Sequence, residues 1–125
     1  MSNRHLINKY QTVQHSNIKK TTQVVMLYNS MEKFIKQSIE ALKASNLEVH
    51  YNMMLKTTSI ITALQSSIDF DKGGYIAKVL YHYYTSLSIK ILSIYKDNDI
   101  NLVEELLEDI SMMKGAWEEI DKSSN

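Results

Sequence analysis

Few residues in this chain have types and spacings that could do covalent chemistry. Glu104, Glu105, Glu108 and Asp109 place four carboxylates within six residues. Paired carboxylates act as general acid and base when their surroundings push their pKa values apart. Here they occupy the polar side of an apolar repeat, so they read as the solvated face of a helix. His5, His15, His50 and His82 show no ligand spacing. They read as surface or groove-edge residues rather than metal ligands. A di-iron bundle would need Glu-x-x-His pairs projecting inward, and no Glu here has a His three residues later. There is no P-loop, G-x-S-x-G, H-E-x-x-H or C-x-x-C motif. Gly73-Gly74 is too short to cradle a phosphate and reads as an interhelical turn. These residues imply no enzyme, no cofactor and no metal.

The chemistry that the sequence does offer is recognition. From Gly73 to Tyr95 the chain has no proline and carries apolar residues at helical spacing. Ile76, Leu80, Tyr83, Leu87, Ile91 and Ile94 recur at steps of four and three and form a core stripe. Tyr81, Thr85, Ile89 and Leu92 form a second stripe roughly opposite. Between Val79 and Tyr95 the one certain charge is Lys90. A helix with a core stripe and an uncharged outer side presents a surface to a partner when its chain is too short to bury it. The fitting partner is an amphipathic helix laid along a groove. Seven methionines and eight tyrosines suit such a surface, because Met adapts its shape and Tyr joins apolar area to a polar tip. Met26, Met31, Met54 and Met113 fall on core stripes instead.

The elements that position these residues follow from composition and period. The chain has 125 residues, 44% apolar and 22% charged, the profile of one ordinary globular domain. It has no proline and three glycines, which favours an all-α fold over one rich in β-turns. Cysteine is absent, which excludes disulfides and thiolate metal sites and fits a reducing compartment. No secretory signal or membrane span is seen. The net charge of zero is unevenly spread: residues 1–45 carry +5 and residues 97–121 carry −8. Two oppositely charged neighbouring helices account for this. The cations are too dispersed for a nucleic-acid stripe.

Residues 1–19 read as an arm in which Ile7, Tyr10 and Val13 could form one docking turn. Helix 1 is expected from about Thr22 to Ala44, with Thr21 or Thr22 as N-cap. Ser45-Asn46-Leu47-Glu48 reads as a capping box opening helix 2. The core stripe of helix 2 is Leu47, Met54, Thr58, Ile61, Gln65 and Ile68, broadened by Val49, Met53, Ile60 and Leu64. Its sole charge between Val49 and Ile68 is Lys56. Helix 4 opens on a second capping-box pattern, Asn101 to Glu104, and repeats Val103, Leu106, Ile110, Met113, Trp117 and Ile120. Four helices with short connections predict an antiparallel up-down four-helix bundle over 20–121. The arm precedes it, a tail over 122–125 follows it, and helix 1 lies beside helix 4.

Several segments resemble a known family. Met26-Leu27-Tyr28-Asn29 followed by Phe34-Ile35 is similar to an MLY(D/N)G…F(I/L) signature. Ile60-Ile61-Thr62-Ala63-Leu64 resembles an I-I-x-x-L element. Asp71 to Leu80 resembles (E)KGGxIAxxL, with Tyr84 at a family tyrosine, and Ala116-Trp117-Glu118-Glu119-Ile120 resembles A-W-x-x-I. In this order and spacing, from about Tyr10 to Ile120, they resemble the flagellin export chaperones, the FliS family. The family's S-P-x-x-L before MLY is replaced here by Lys19, Lys20 and Gln23, its glycine after LY(D/N) by Ser30, and its A-N by Ile94-Tyr95.

The resemblance implies a bacterial cytosolic bundle that binds the C-terminal segment of flagellin. That segment folds into helices on the chaperone. Masking it prevents premature polymerisation, and the complex is delivered to the flagellar type III export apparatus. The resemblance brings the flagellar export gate and an anti-sigma factor in as further candidate partners. It places Ile7 and Tyr10 of the arm beside the client pocket, in a segment that moves when the client binds. The charge-poor sides of helices 2 and 3 supply the expected docking surface, with Met53, Ile60, Leu64, Tyr81, Ile89 and Leu92. No membrane insertion is implied. The alternative is a structural module whose charge-poor faces bury one another in a homodimer unrelated to flagellin.

Overall fold

The computed structural model describes residues 18–123. Among them are four helices: α1 (Lys20–Lys43), α2 (Leu47–Ser66), α3 (Phe70–Asp97) and α4 (Ile100–Ser123). They form an all-α bundle. Helix α1 packs against α2 on one side and α4 on the other, and α3 closes the square between α2 and α4. The α3–α4 seam is the loosest of the four. No described helix is long and apolar enough to cross a membrane. Ile7, Tyr10, His5 and His15 lie outside the described residues.

The core follows the apolar period. Tyr28, Met31 and Ile35 of α1, Met54 and Ile61 of α2, Leu87, Ile91 and Ile94 of α3, and Val103, Leu106 and Ile110 of α4 are buried together. Full burial of one such side chain contributes about 1.5–3 kcal/mol. The expected stripes depart from this core mainly at the ends of the bundle. Leu47 and Ile120 are exposed, and so is Met26, which correct their core assignments. Ile76 is 66% exposed. Gly74 breaks the helix just before it, with φ 55° and ψ −128°, a backbone region open to glycine alone. Beyond that break Ala77, not Ile76, turns inward. Gly73 is also required, because a Cβ there would stand 2.8 Å from the Cβ of Ala77.

The helix ends use different residues from those expected. Helix α1 starts after Lys19 without a side-chain cap. The Thr21 and Thr22 hydroxyls instead each donate to Asp121 Oδ1 of α4 at 2.7 Å. Ser45 closes α1 rather than opening α2. It is left-handed (φ 56°), its N–H donates to Leu42 O and that of Asn46 to Ala41 O, the paired bonds of a Schellman turn. Asn46 then caps α2, accepting from the Val49 N–H. At the start of α4, Asp99 rather than Asn101 does this work, accepting from the Asn101 N–H at 2.9 Å.

The charge distribution also pairs differently from expectation. Basic α1 does lie beside acidic α4. Its most protected cross-helix ion pair, however, joins α1's carboxylate Glu32 to Lys114 of α4 at 2.8 Å. Ser111 Oγ donates to the second Glu32 oxygen at 2.6 Å. Burial alone would raise the Glu32 pKa, but these hydrogen bonds outweigh it and the carboxyl is held below its ordinary value. The acidic face of α4 is met from α3, where Lys90 reaches Asp109 at 3.1 Å and Glu105 at 3.9 Å.

Candidate functional site: an end cleft and a charge-poor helix face

At the end of the bundle where α3 begins, a cleft of about 360 Å³ opens between all four helices. Val24 of α1, Leu64 of α2, Ile68 of the α2–α3 connection, Ile76, Ala77 and Leu80 of α3, and Trp117 of α4 give it apolar walls. Helix α3 kinks at Gly74 beside the cleft, between the lining residues Gly73 and Ile76. Behind the wall, the buried hydroxyl of Tyr28 donates to that of Tyr84 at 3.1 Å, with Trp117 of α4 close by. Burial, with Tyr84 beside it, pushes the Tyr28 hydroxyl far above the ordinary tyrosine range, so it stays protonated as a donor. Lys20, Lys72 and Asp69 stand at the mouth.

The root of the arm is fixed at this cleft. Gln23 Nε2 donates to the carbonyl of Ile18 at 2.8 Å. Lys19 Nζ donates to the Asp121 carbonyl at 2.8 Å and lies 3.3 Å from its carboxylate. Hydrogen bonds from Thr21 and Thr22 lead the causes that lower the Asp121 pKa. The described chain therefore begins, at Ile18, beside the opening.

The second feature is the side of α3 that borders α2. Gln65 Nε2 donates to the Tyr81 carbonyl at 2.9 Å and to Thr85 Oγ1 at 2.8 Å. The rings of Tyr51 and Tyr95 lie 5.8 Å apart, as do those of Phe70 and Tyr81. Along this row Tyr81 is exposed, Ile89 is 58% exposed and Leu92 is 64% exposed. A helix face with this much bare apolar area and little charge suits a helical ligand.

The α2 residues expected beside this row do not all reach it. Ile60 is in the core, in keeping with its place beside the core stripe, and does not reach the surface expected for a partner. Leu64 is also buried and is reached through the cleft wall. Met53 is half-buried, on the row that carries Lys56, whose ammonium stands 5.3 Å over the Phe34 ring of α1. These three residues follow the α1 side of α2. The side facing α3 is the row of Tyr51 and Gln65, and its exposed apolar member is Leu55. Sequence reasoning missed Leu55. It stands four residues after Tyr51 and ten before Gln65, so its row is set once those contacts are known.

His50 also departs from expectation. It is fully buried, with Nδ1 2.6 Å from Ser38 Oγ across the α1–α2 interface. Burial lowers its pKa. His82 is exposed.

The segments that meet at the cleft are the ones the sequence singled out: Tyr28, the Gly73–Leu80 run, Tyr84 and Trp117. Comparison with known proteins agrees. The family model described as "Flagellar protein FliS" matches residues 2–124. A flagellar secretion chaperone FliS of Vibrio cholerae is 30% identical over 96 residues, covering 77% of this chain and 70% of the relative. A flagellar secretion chaperone FliS of Campylobacter jejuni is 26% identical over 98 residues, covering 78% and 76%. A four-helix chain with these motifs gathered at one cleft, matched over nearly its whole length, belongs to the FliS family of flagellar secretion chaperones.

Proposed function

We propose that this protein is a cytoplasmic export chaperone that binds the C-terminal segment of flagellin. It holds that segment as helices, keeps it from polymerising early and assists its delivery to the flagellar type III export apparatus. The observation that carries this reading is the bare apolar row Tyr81, Ile89 and Leu92 on α3, at whose end the cleft opens. One helix of the client covers the row, and an apolar side chain enters the cleft against Leu64 and Trp117. Ile7 and Tyr10 belong to a segment that lies near the client pocket and moves when the client binds, as the family resemblance implies. The fixed root at Ile18 supports this, because the arm starts at the opening. The export gate and an anti-sigma factor are later partners. The action is stoichiometric binding, without catalysis.

Calorimetric titration with the C-terminal segment of the organism's own flagellin tests this, with helicity followed in parallel. One-to-one binding with a gain of helix beyond the sum of the parts is expected. Ordering the segment costs on the order of 2–5 kcal/mol, offset by apolar burial. A tight dimer with no affinity for the segment would transfer the exposed row to a homodimer interface instead.

A further inference from the structure

A second apolar surface lies where α3 borders α4, and it meets the end cleft at Ile76, which lines both. The Lys90 pairs with Glu105 and Asp109 fix the antiparallel register of these two helices. Ile76 and Val79 precede Lys90 by fourteen and eleven residues, which sets them level with Ile120 of α4. Ile76, Val79, Tyr83 and Lys90 share one row of α3 at helical steps. Glu105, Asp109, Met112, Ala116 and Ile120 share the facing row of α4. The two rows border the loosest seam of the bundle. Toward Lys90 the seam is closed by ion pairs. Toward the cleft it is apolar and open: Ile76, Val79 and Ile120 are exposed, and Met112 is 70% exposed.

The α4 rim of this groove is predominantly acidic, with Lys90 at its closed end. Met112 lies seven residues after Glu105, four after Glu108 and seven before Glu119, which places the three carboxylates along its row. Glu105 is 60% exposed and only 3.9 Å from the lysine it shares with Asp109. Glu119 is 78% exposed and pairs only across the surface with Lys122, three residues on, at 3.8 Å. Among the described residues no lysine pairs with Glu108. Gly115 and Ala116 leave the helix surface low between Met112 and Glu119, and a Cβ on Gly115 would touch nothing within 4 Å. An incoming helix can therefore approach closely.

We propose that this α3–α4 groove binds a cationic amphipathic helix of a second protein partner. The apolar face of that helix sits on Ile76, Val79, Met112 and Ile120, and its lysines or arginines meet Glu105, Glu108 and Glu119. Charge complementarity selects this occupant. An acidic helix would meet like charge along the α4 rim, and a neutral one would leave Glu108 without a counter-ion. The α2–α3 face has no such rim, so the two surfaces of α3 differ in what they select.

The test uses the full chain and a designed leucine/lysine helix of about 18 residues, five turns, with its leucine/glutamate counterpart as control. Titrations at about 150 mM salt are read by calorimetry and by backbone amide shifts. One-to-one binding of the lysine peptide alone is expected, weaker at higher salt, with shifts centred on residues 76–79 and 112–120. Val79→Asp and Met112→Asp separate a groove from bare charge attraction. Each adds a negative charge, so attraction alone would tighten binding, whereas loss of an apolar anchor weakens it by about tenfold or more. Both sites are exposed, and an unchanged circular dichroism spectrum verifies the fold of each variant. Equal binding of the two peptides, tighter binding by the Asp variants, or shifts centred on α2 would overturn the proposal. Loss of lysine-peptide binding after saturation with the flagellin segment would give the groove to that client and overturn a separate partner.

Discussion

The hydroxyl of Tyr28 on α1 donates to that of Tyr84 on α3 across 3.1 Å, a direct link between diagonal helices of the bundle. Both side chains are buried. The link stands behind the wall of the end cleft, so it fixes the position of that wall as well as the core. Tyr84→Phe removes the acceptor and leaves a buried donor short of its partner. It is expected to cost about 1–3 kcal/mol in urea unfolding. The double variant with Tyr28→Phe should cost less than the sum of the two single changes, because the pair acts as a unit. Additive losses would show that the two hydroxyls are not coupled.

The three glycines and Ser45 are expected to respond in opposite directions. Gly73→Ala puts a methyl against Ala77 and should destabilise by about 1–3 kcal/mol through overpacking. Gly74→Ala meets a forbidden backbone region and should cost a similar amount, about 1–3 kcal/mol. Gly115→Ala has open space in a helix interior and should stabilise by about 0.5–1 kcal/mol. Ser45→Gly relieves a left-handed serine and should stabilise by about 1 kcal/mol. Thermal or urea unfolding of the four variants checks the signs.

Much of this was legible in the sequence, for physical reasons. The apolar period placed Met31, Ile91 and Leu106 in the core because removing their apolar area from water outweighs every other influence on where they sit. The position of α1 beside α4 followed from short connections. The misses share another cause. Ile76, Ile120 and Leu47 fit the period but stand where the bundle ends and a partner helix no longer covers them. The side of α2 that meets α3 depends on helix rotation, which Gln65 and Tyr51 set by contacts that no local pattern contains. Ser45 carried the letters of a capping box, yet its left-handed backbone makes it a helix stop. His50 has the composition of a surface residue, and only its Ser38 partner on another helix accommodates it inside.

Glu32 makes stability depend on acid. Its folded pKa lies below the unfolded value, so the unfolded chain takes up its proton first as pH falls. Its contribution is complete above about pH 4.3, the unfolded glutamate value, and is lost as pH drops through the lower folded value. Glu32→Gln is expected to flatten the stability curve in that range and to cost about 1.5–3 kcal/mol at neutral pH, where Lys114 and Ser111 lose a charged acceptor. Unfolding free energies measured from pH 7 down to pH 3 decide this. A variant with an unchanged slope would contradict it.

His50 acts at a higher pH with the same sign. Its folded pKa is lowered by burial, so the neutral ring is the folded form. Stability from this source is full above about pH 6.5 and declines as pH falls toward the folded value, because the unfolded chain binds the proton more readily. His50→Phe should remove the decline between pH 7 and pH 5 and leave the Glu32 step in place. An unaltered decline would assign it to other groups.

Docking of the flagellin segment on the bare row of α3 is tested most directly by comparing affinities for that segment. The wild-type chain is set against Ile89→Asp and Leu92→Asp, and each variant is also checked by urea unfolding. Both sites are exposed, so stability should stay within about 0.5 kcal/mol, while affinity should fall by about tenfold or more as an apolar anchor is replaced by charge. Unchanged affinity in both variants, at unchanged stability, would contradict docking on this row and move the client's surface away from α3.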